Sequence, residues 1–363
     1  MKNIYDGLSF EQIISKYPKQ EYDVKKYHHI LEPDFPDFLN KYIQLPLLQR
    51  LSGIGLLCGS DWTRLFKNRF YYSRLDHSIG VALITWHFTR SKEEAIAGLL
   101  HDISTPVFSH VSDFRNGDAL TQTATEGPTQ ALIRSNKELL ALLDQDNIPV
   151  EKVEDYHIYP VADNEIPRLS ADRLEYMYPS GMALEGSWTM DEIKATYNDI
   201  SVLENEDGQK ELGFNSQEVA ELYCSKFCMT GHILQLNEDK ICLQLLGQIM
   251  NQAEKENILC EKDFMTLSEK EVLDKIEDAD GSKEFKRLYR TFRNMEKVLH
   301  TQEPLDSSEY FCLKLDVKQR YINPLLKTKS GIVRLNKASP SASRIISDFL
   351  SFHDTAYGCV KLL

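Results

Sequence analysis

The stretch SKEEAIAGLLHDISTPVFSH, residues 91–110, constrains the fold more than any other. Ile96, Leu99 and Leu100 recur at the spacing of one helical face, Ser91 is placed to cap the first turn, and Glu93 and Glu94 put negative charge there. Such a helix must bury its apolar stripe against another element. It ends on His101-Asp102, and His110 follows nine residues after His101. Imidazole and carboxylate at a helix end are ordinarily a polar terminus, but they are also a metal-ligand pair. The rest of the chain has to decide between the two.

Helical patterns dominate elsewhere. Residues 38–57 carry apolar residues at spacings of three and four, broken into short pieces by Pro46, Gly53 and Gly55. Residues 76–90 predict a strong helix with Ile79, Ala82, Leu83 and Trp86 on one face. Residues 129–145 repeat the pattern, and long helices are expected from 216 to 259. The C-terminal part changes character. SEYFCLKLDVKQRYINPLL (308–326) alternates Tyr, Leu, Val and Ile, and KSGIVRL follows with a Ser-Gly turn, which predicts a small antiparallel strand pair. The expected fold class is mostly α, a helical core with a small mixed α/β C-terminal subdomain.

The chain has 363 residues, ample for a sizeable core, and its 42% hydrophobic and 27% charged residues are those of a globular protein. No stretch approaches the roughly 20 apolar residues of a membrane-spanning helix, and the N-terminus shows no secretory h-region, so no membrane association is expected. A formal charge of −13 argues against strong nucleic-acid binding, yet leaves room for a small phosphorylated ligand held by a local basic patch. The seven cysteines are scattered; free thiols and a reducing, cytoplasmic setting are expected.

Four residues form a candidate constellation: His77 near the start of one helix, His101 and Asp102 at the end of the next, and Asp172 within SADRLEY. Neutral imidazole with carboxylate suits Mn, Fe, Co, Ni or Zn and leaves positions open for water. Taken singly, each has a structural explanation, as a capping or surface group. In their order and spacing, RLDHSIGVA, AGLLHDISTPVFSH and SADRLEY resemble the H…HD…D signature of the HD-domain metal-dependent phosphohydrolases, nearest to the deoxynucleoside triphosphate triphosphohydrolase branch. LPLLQRLSGIGLL also resembles that family's Gln-Arg-Leu segment, and KQRYINPLL and SASRIISDFLSF are less specifically similar to bacterial members.

The resemblance implies a phosphohydrolase core over 1–215, with the metal motif in 77–172, and a helical continuation over 216–363 carrying the strand pair and packed on the core. It implies His77, His101, Asp102 and Asp172 as ligands of a divalent ion (Mn, Fe, Ni, Co, Zn or Mg), with attack by metal-bound hydroxide on phosphorus. His110 matches a loop histidine over the phosphates, Asp113 a carboxylate that orients an active-site histidine, Arg74 a phosphate-contacting arginine and Tyr176 a substrate-side tyrosine. The implied partner is a small phosphorylated substrate, a nucleotide, with dNTP triphosphate hydrolysis as the specific expectation; a homo-oligomer is implied as well.

Several positions depart from the family pattern. Thr105 stands where the first loop histidine belongs and Thr125 where a further one does, so Asp113 is expected to lack the imidazole it would orient. Leu56 replaces a base- and sugar-contacting Gln, and Pro179-Ser180 falls where a phosphate arginine is expected. Threonine does not titrate near neutral pH. The alternative is therefore a catalytically weak scaffold that binds metal or nucleotide for regulation. In RLFKNRFYYSR, Arg64, Lys67, Arg69 and Arg74 are candidates for phosphate capture or for a solvated loop. His87 reads as structural, and His157 has no identifiable partner.

Overall fold

The computed structural model describes residues 7–120 and 128–363. Thr125 lies outside them. The chain is mostly helical, with a small sheet region, as expected. Helix α1 (Arg74–Thr89) starts in a capping box, Ser73 accepting from the Asp76 amide and Asp76 answering on the cap backbone, and it stops at Arg90 in the left-handed region (φ 53°). Helix α2 (Lys92–Leu100) follows at once, with the Ser91 hydroxyl accepting from the Glu94 amide. The two form a hairpin that closes where Gly98 meets α1: a Cβ there would stand 3.2 Å from Val81. Ile96, Leu99 and Leu100 are fully buried.

Helix α3 (Ala171–Leu184) lies against α1, and α4 (Gln217–Ile233) packs on α3. The longest, α5 (Asn237–Lys255), packs across the short helix Val111–Arg115, where Gly247 admits the backbone of Arg115. Residues 38–53 are the short pieces that the sequence implied, Phe38–Ile43, Pro46–Gln49 and a 3-10 turn over Arg50–Gly53. The 129–145 pattern divides in two at Asn136, which ends Thr129–Ser135 and caps Lys137–Gln145 through the Leu139 amide.

Among the described residues, seven strands form two sheets: β1 (Ile200–Glu204), β2 (Lys210–Phe214), β5 (Leu325–Thr328) and β6 (Gly331–Arg334) in the order β1-β2-β5-β6, and β3 (Leu299–Thr301), β7 (Tyr357–Lys361) and β4 (Tyr310–Leu313) in the order β3-β7-β4. The expected strand pair is thus corrected. β5 and β6 do form an antiparallel hairpin at the Ser-Gly turn, but 308–326 is no single strand: its ends belong to different sheets. Alternation marked the strand residues and could not show which partners their backbones would find.

The expectation of seven free thiols is also corrected. Cys312 and Cys359 face each other across the antiparallel β4–β7 pair and are disulfide-bonded; their separation of 47 residues hides this in the sequence. The other five are free.

Among the described residues, two hydrophobic clusters make up the core. One includes Leu99, Leu100 and Ile103; the other includes Val107, Phe108, Val111 and Phe114. The loop after α2 therefore crosses from one cluster to the other, and the candidate ligands sit at that seam.

Candidate metal centre and cavity

The α1–α2 hairpin places His77 opposite His101, with Nε2 atoms 3.2 Å apart. Asp102 Oδ2 lies 3.8 Å from His77 Nε2 and 3.5 Å from His101 Nε2. From α3, Asp172 Oδ1 reaches to 3.2 Å from His77 Nε2 and 3.9 Å from His101 Nε2. The structure thus brings together all four residues singled out as ligands. The ligand atoms of His77, His101 and Asp102 all fall within 4.8 Å of one another. Bonds of about 2.1 Å to a common ion put ligand atoms about 3 Å apart at neighbouring positions and about 4 Å apart at opposed ones. The observed separations lie in that range.

Hydrogen bonding orients both rings. His101 Nδ1 lies 2.7 Å from the Gly98 carbonyl, which only accepts, so Nδ1 carries the hydrogen. His77 Nδ1 donates to Glu175 Oε2. With those hydrogens committed, neutral rings direct both Nε2 lone pairs at each other and at two carboxylate oxygens. Such a convergence repels itself unless positive charge, a proton on His77 or a metal cation, lies within it. The residues therefore fit a divalent ion, and their outward Nδ1 bonds are those of metal-ligating histidines. The charges around these groups make the same demand for positive charge. Burial would push His77 down, but Glu175 and Asp172 override it and raise the imidazole to about 10. Burial likewise would raise Asp102, but Arg74 and the two histidines hold it far below the carboxylate range.

Glu175 is the residue that sequence reasoning missed. It is fully buried, bonds His77, and accepts at 2.6 Å from the Tyr72 hydroxyl. Gly80 makes room for it: a Cβ there would stand 2.4 Å from Glu175 Oε1. Its signal was present in SADRLEY, one helical turn after Asp172, where its carboxylate meets α1.

The loop from Ser104 to His110 builds the next layer. Thr105, in the place of a histidine, donates to Asp102 Oδ1 at 2.9 Å. Phe108 (φ 60°) and Ser109 (φ 53°) are consecutive left-handed residues, each costing on the order of 1–3 kcal/mol, and both are buried. That turn aims Ser109 at Arg74, whose Nε donates to its Oγ at 3.0 Å while NH1 pairs with Asp102 Oδ2 at 2.7 Å. It also delivers His110, and here an expectation fails: Asp113 has not lost its imidazole. It is fully buried, and its Oδ2 lies 2.9 Å from His110 Nδ1. The partner is the loop histidine three residues before it, a local pairing that comparison with the family pattern obscured.

His77, His101, Asp102, Asp172, Arg74 and His110 line a cavity of about 1210 Å³, together with Leu56, Tyr176 and Ser180. Residues 154–166 form another wall, where His157 pairs with Asp155 at 2.9 Å and faces Asp163 at 3.6 Å, partners that the sequence did not reveal. Of the basic stretch, only Arg74 reaches the cavity. Arg64 and Lys67 pair with Glu296 and Glu11 at the surface, and Arg69 donates to backbone carbonyls, including Leu184 at 2.5 Å. His87 is structural, 3.1 Å from buried Glu32.

A second His–carboxylate group differs in kind. His300 bonds Asp354 through Nδ1 and Glu238 through Nε2, each at 2.9 Å. Both nitrogens donate, so no lone pair remains for an ion. Among the described residues, no helix is long and apolar enough to cross a membrane.

No protein-family model matches the chain. Over 150 residues, 41% of the chain, it is 31% identical to YdhJ of Bacillus subtilis, an uncharacterised protein. Over 138 residues, 38% of the chain, it is 28% identical to cns2 of Cordyceps militaris, a metal-dependent phosphohydrolase. The matches span 43% and 39% of those relatives, about two fifths of their length. Two solved structures share the fold over nearly the whole chain. A hypothetical protein from Aquifex aeolicus superposes with a TM-score of 0.61 at 15% identity, covering 90% of this chain and 92% of its own. A phosphohydrolase from Bacteroides thetaiotaomicron superposes with a TM-score of 0.60 at 16% identity, covering 88% and 94%.

Proposed function

We propose that this chain is an HD-type metal-dependent phosphohydrolase acting on a nucleotide or related phosphate ester, with dNTP triphosphate hydrolysis as the first reaction to test. The carrying observation is the clustering of His77, His101 and Asp102, with Asp172 beside both histidines and both Nδ1 hydrogens committed elsewhere. The phosphohydrolase names of one sequence relative and one structural neighbour support the reading.

His77, His101, Asp102 and Asp172 would hold a divalent ion, which would supply acidification of a water and polarisation of a phosphoryl oxygen. The chain's own groups do the rest. His110, oriented by Asp113 through Nδ1, presents Nε2 to the cavity, where it takes up or returns a proton. Arg74 supplies fixed positive charge for phosphoryl oxygens beside the ligands. Tyr176, one turn from Asp172 on α3, lines the space left for the rest of the substrate. Thr105 steadies Asp102 and has no part in proton transfer.

The test is product analysis by ion exchange after incubation with dNTPs, NTPs and nucleoside monophosphates plus Mn²⁺, beside Asp102→Ala. Turnover that vanishes in the variant is expected: tripolyphosphate would identify a triphosphohydrolase, inorganic phosphate a phosphatase. No turnover on any substrate by folded, metal-loaded protein would overturn the nucleotide hydrolase.

A further inference from the structure

Residues 314–324 join β4, in the three-stranded sheet, to β5, in the four-stranded one, without regular structure of their own. They are nonetheless fixed along their length. The Lys318 amide donates to the Ala119 carbonyl at 3.3 Å, Gln319 Nε2 donates to the Leu350 carbonyl at 3.2 Å, and the Asn323 amide donates to the Pro167 carbonyl at 2.7 Å. Arg320 lies against α4 at Gly231, where a Cβ would stand 3.0 Å from the Arg320 carbonyl oxygen. This strap brings Val317, Lys318 and Arg320 to the wall of the cavity.

Arg320 NH2 lies 3.5 Å from His110 Nε2. A guanidinium only donates, so Nε2 faces it as an acceptor and the ring hydrogen sits on Nδ1, toward Asp113. The sequence separates these residues by 210 positions, and the two sheets hold the strap that closes the gap. We propose that Arg320 is a phosphoryl-binding residue of the cavity, delivered from the C-terminal half, and that it also positions His110 in the tautomer whose Nε2 points into the site. The substrate class rests on the phosphohydrolase reading; the anion site does not. A planar fork beside a cavity histidine matches two oxygens of a phosphoryl group.

The groups around His110 are Asp113 on its own segment, Arg74 from α1, Arg320 from the strap and the Cys58 thiol near its backbone; Asp239 of α5 lies near Arg320. Burial lowers the His110 pKa first, with Arg320 and Arg74 adding to it and Asp113 opposing. Loss of Arg320 therefore moves it upward.

The test uses the full chain with Arg320→Gln and Arg320→Lys, each checked for native circular dichroism. Two quantities are read in EDTA: pyrophosphate affinity by calorimetry and the His110 ring nitrogens by ¹⁵N NMR across pH. Arg320→Gln is expected to weaken pyrophosphate binding by about tenfold or more and to raise the His110 titration midpoint. Arg320→Lys, which keeps the charge without the fork, is expected to preserve the midpoint and recover only part of the affinity. If Arg320→Gln does not fold, Arg320→Lys alone decides, since wild-type affinity there would overturn the proposal. Unchanged affinity and unchanged His110 titration in folded Arg320→Gln would also overturn it. Lost pyrophosphate binding in a protein that hydrolyses no nucleotide would leave the Arg320 site standing and remove the hydrolase reading. Hydrolysis with an unaffected Arg320→Gln would do the reverse.

Discussion

At the scale of the residue, Glu175 governs the candidate centre without being one of its four ligands. Its carboxylate fixes which nitrogen of His77 bears hydrogen and so aims the other at the metal position. Outer partners of this kind contribute about 10–100-fold to metal affinity. Glu175→Gln keeps shape and an acceptor but loses the charge; Mn²⁺ or Zn²⁺ titration by calorimetry should show a loss of that size, with far-ultraviolet circular dichroism unchanged. Affinity equal to wild type would remove Glu175 from the site. The four candidate ligand positions were legible in the sequence because their order and spacing resemble the H…HD…D signature, which no one of them shows alone. Glu175 was not, because a buried glutamate and an exposed one look alike until the helix facing it is known. The Asp113–His110 pair was misread for a different reason: the histidine missing from the family pattern was sought downstream, while its substitute lay one turn upstream.

At the scale of the element, the α1–α3 contact is where fold and chemistry compete for the same space. Gly80 of α1 leaves the space that the Glu175 side chain fills. Gly80→Ala should gain about 1 kcal/mol of helix propensity and lose about 1–3 kcal/mol to overpacking, for a small net destabilisation. The displaced carboxylate should cost far more in metal binding. The expected outcome is a melting temperature lowered by a few degrees with metal affinity reduced tenfold or more, and a variant that melts lower yet binds metal normally would refute the coupling. The helices were the most legible elements: the Ser91 cap, the apolar face ending at Leu100 and the breaks near Pro46 all follow from local chemistry. The sheets were the least legible. Strands β4 and β5 lie within one alternating stretch, and their division between two sheets is decided by backbone partners more than a hundred residues apart for β2 and β5.

At the scale of the whole molecule, the Glu238–His300–Asp354 group ties α5, β3 and the turn before β7 together. Hydrogen bonds to Asp354 and Glu238, opposed by burial, raise the His300 pKa to about 10. A raised histidine contributes stability in full below its unfolded value of about 6.5 and loses it as pH climbs through the folded value. Lys240 and His232 also lie in the field of Asp354, so the comparison is made against a variant rather than on wild type alone. The melting-temperature difference between wild type and His300→Gln should be largest below pH 6.5 and shrink toward pH 10. A difference that is flat with pH would show the tie to be inert.

The strap between β4 and β5 has a consequence for exchange of backbone hydrogens. Its amides at Lys318 and Asn323 are bonded to distant carbonyls, so their protection measures how firmly the two sheets hold the cavity wall. An anion that grips Arg320 draws on the same free energy that keeps those amides closed. Occupancy of the cavity and slow deuterium uptake around residue 320 then become two readings of a single equilibrium, and filling the site quiets a stretch of chain that belongs to neither sheet.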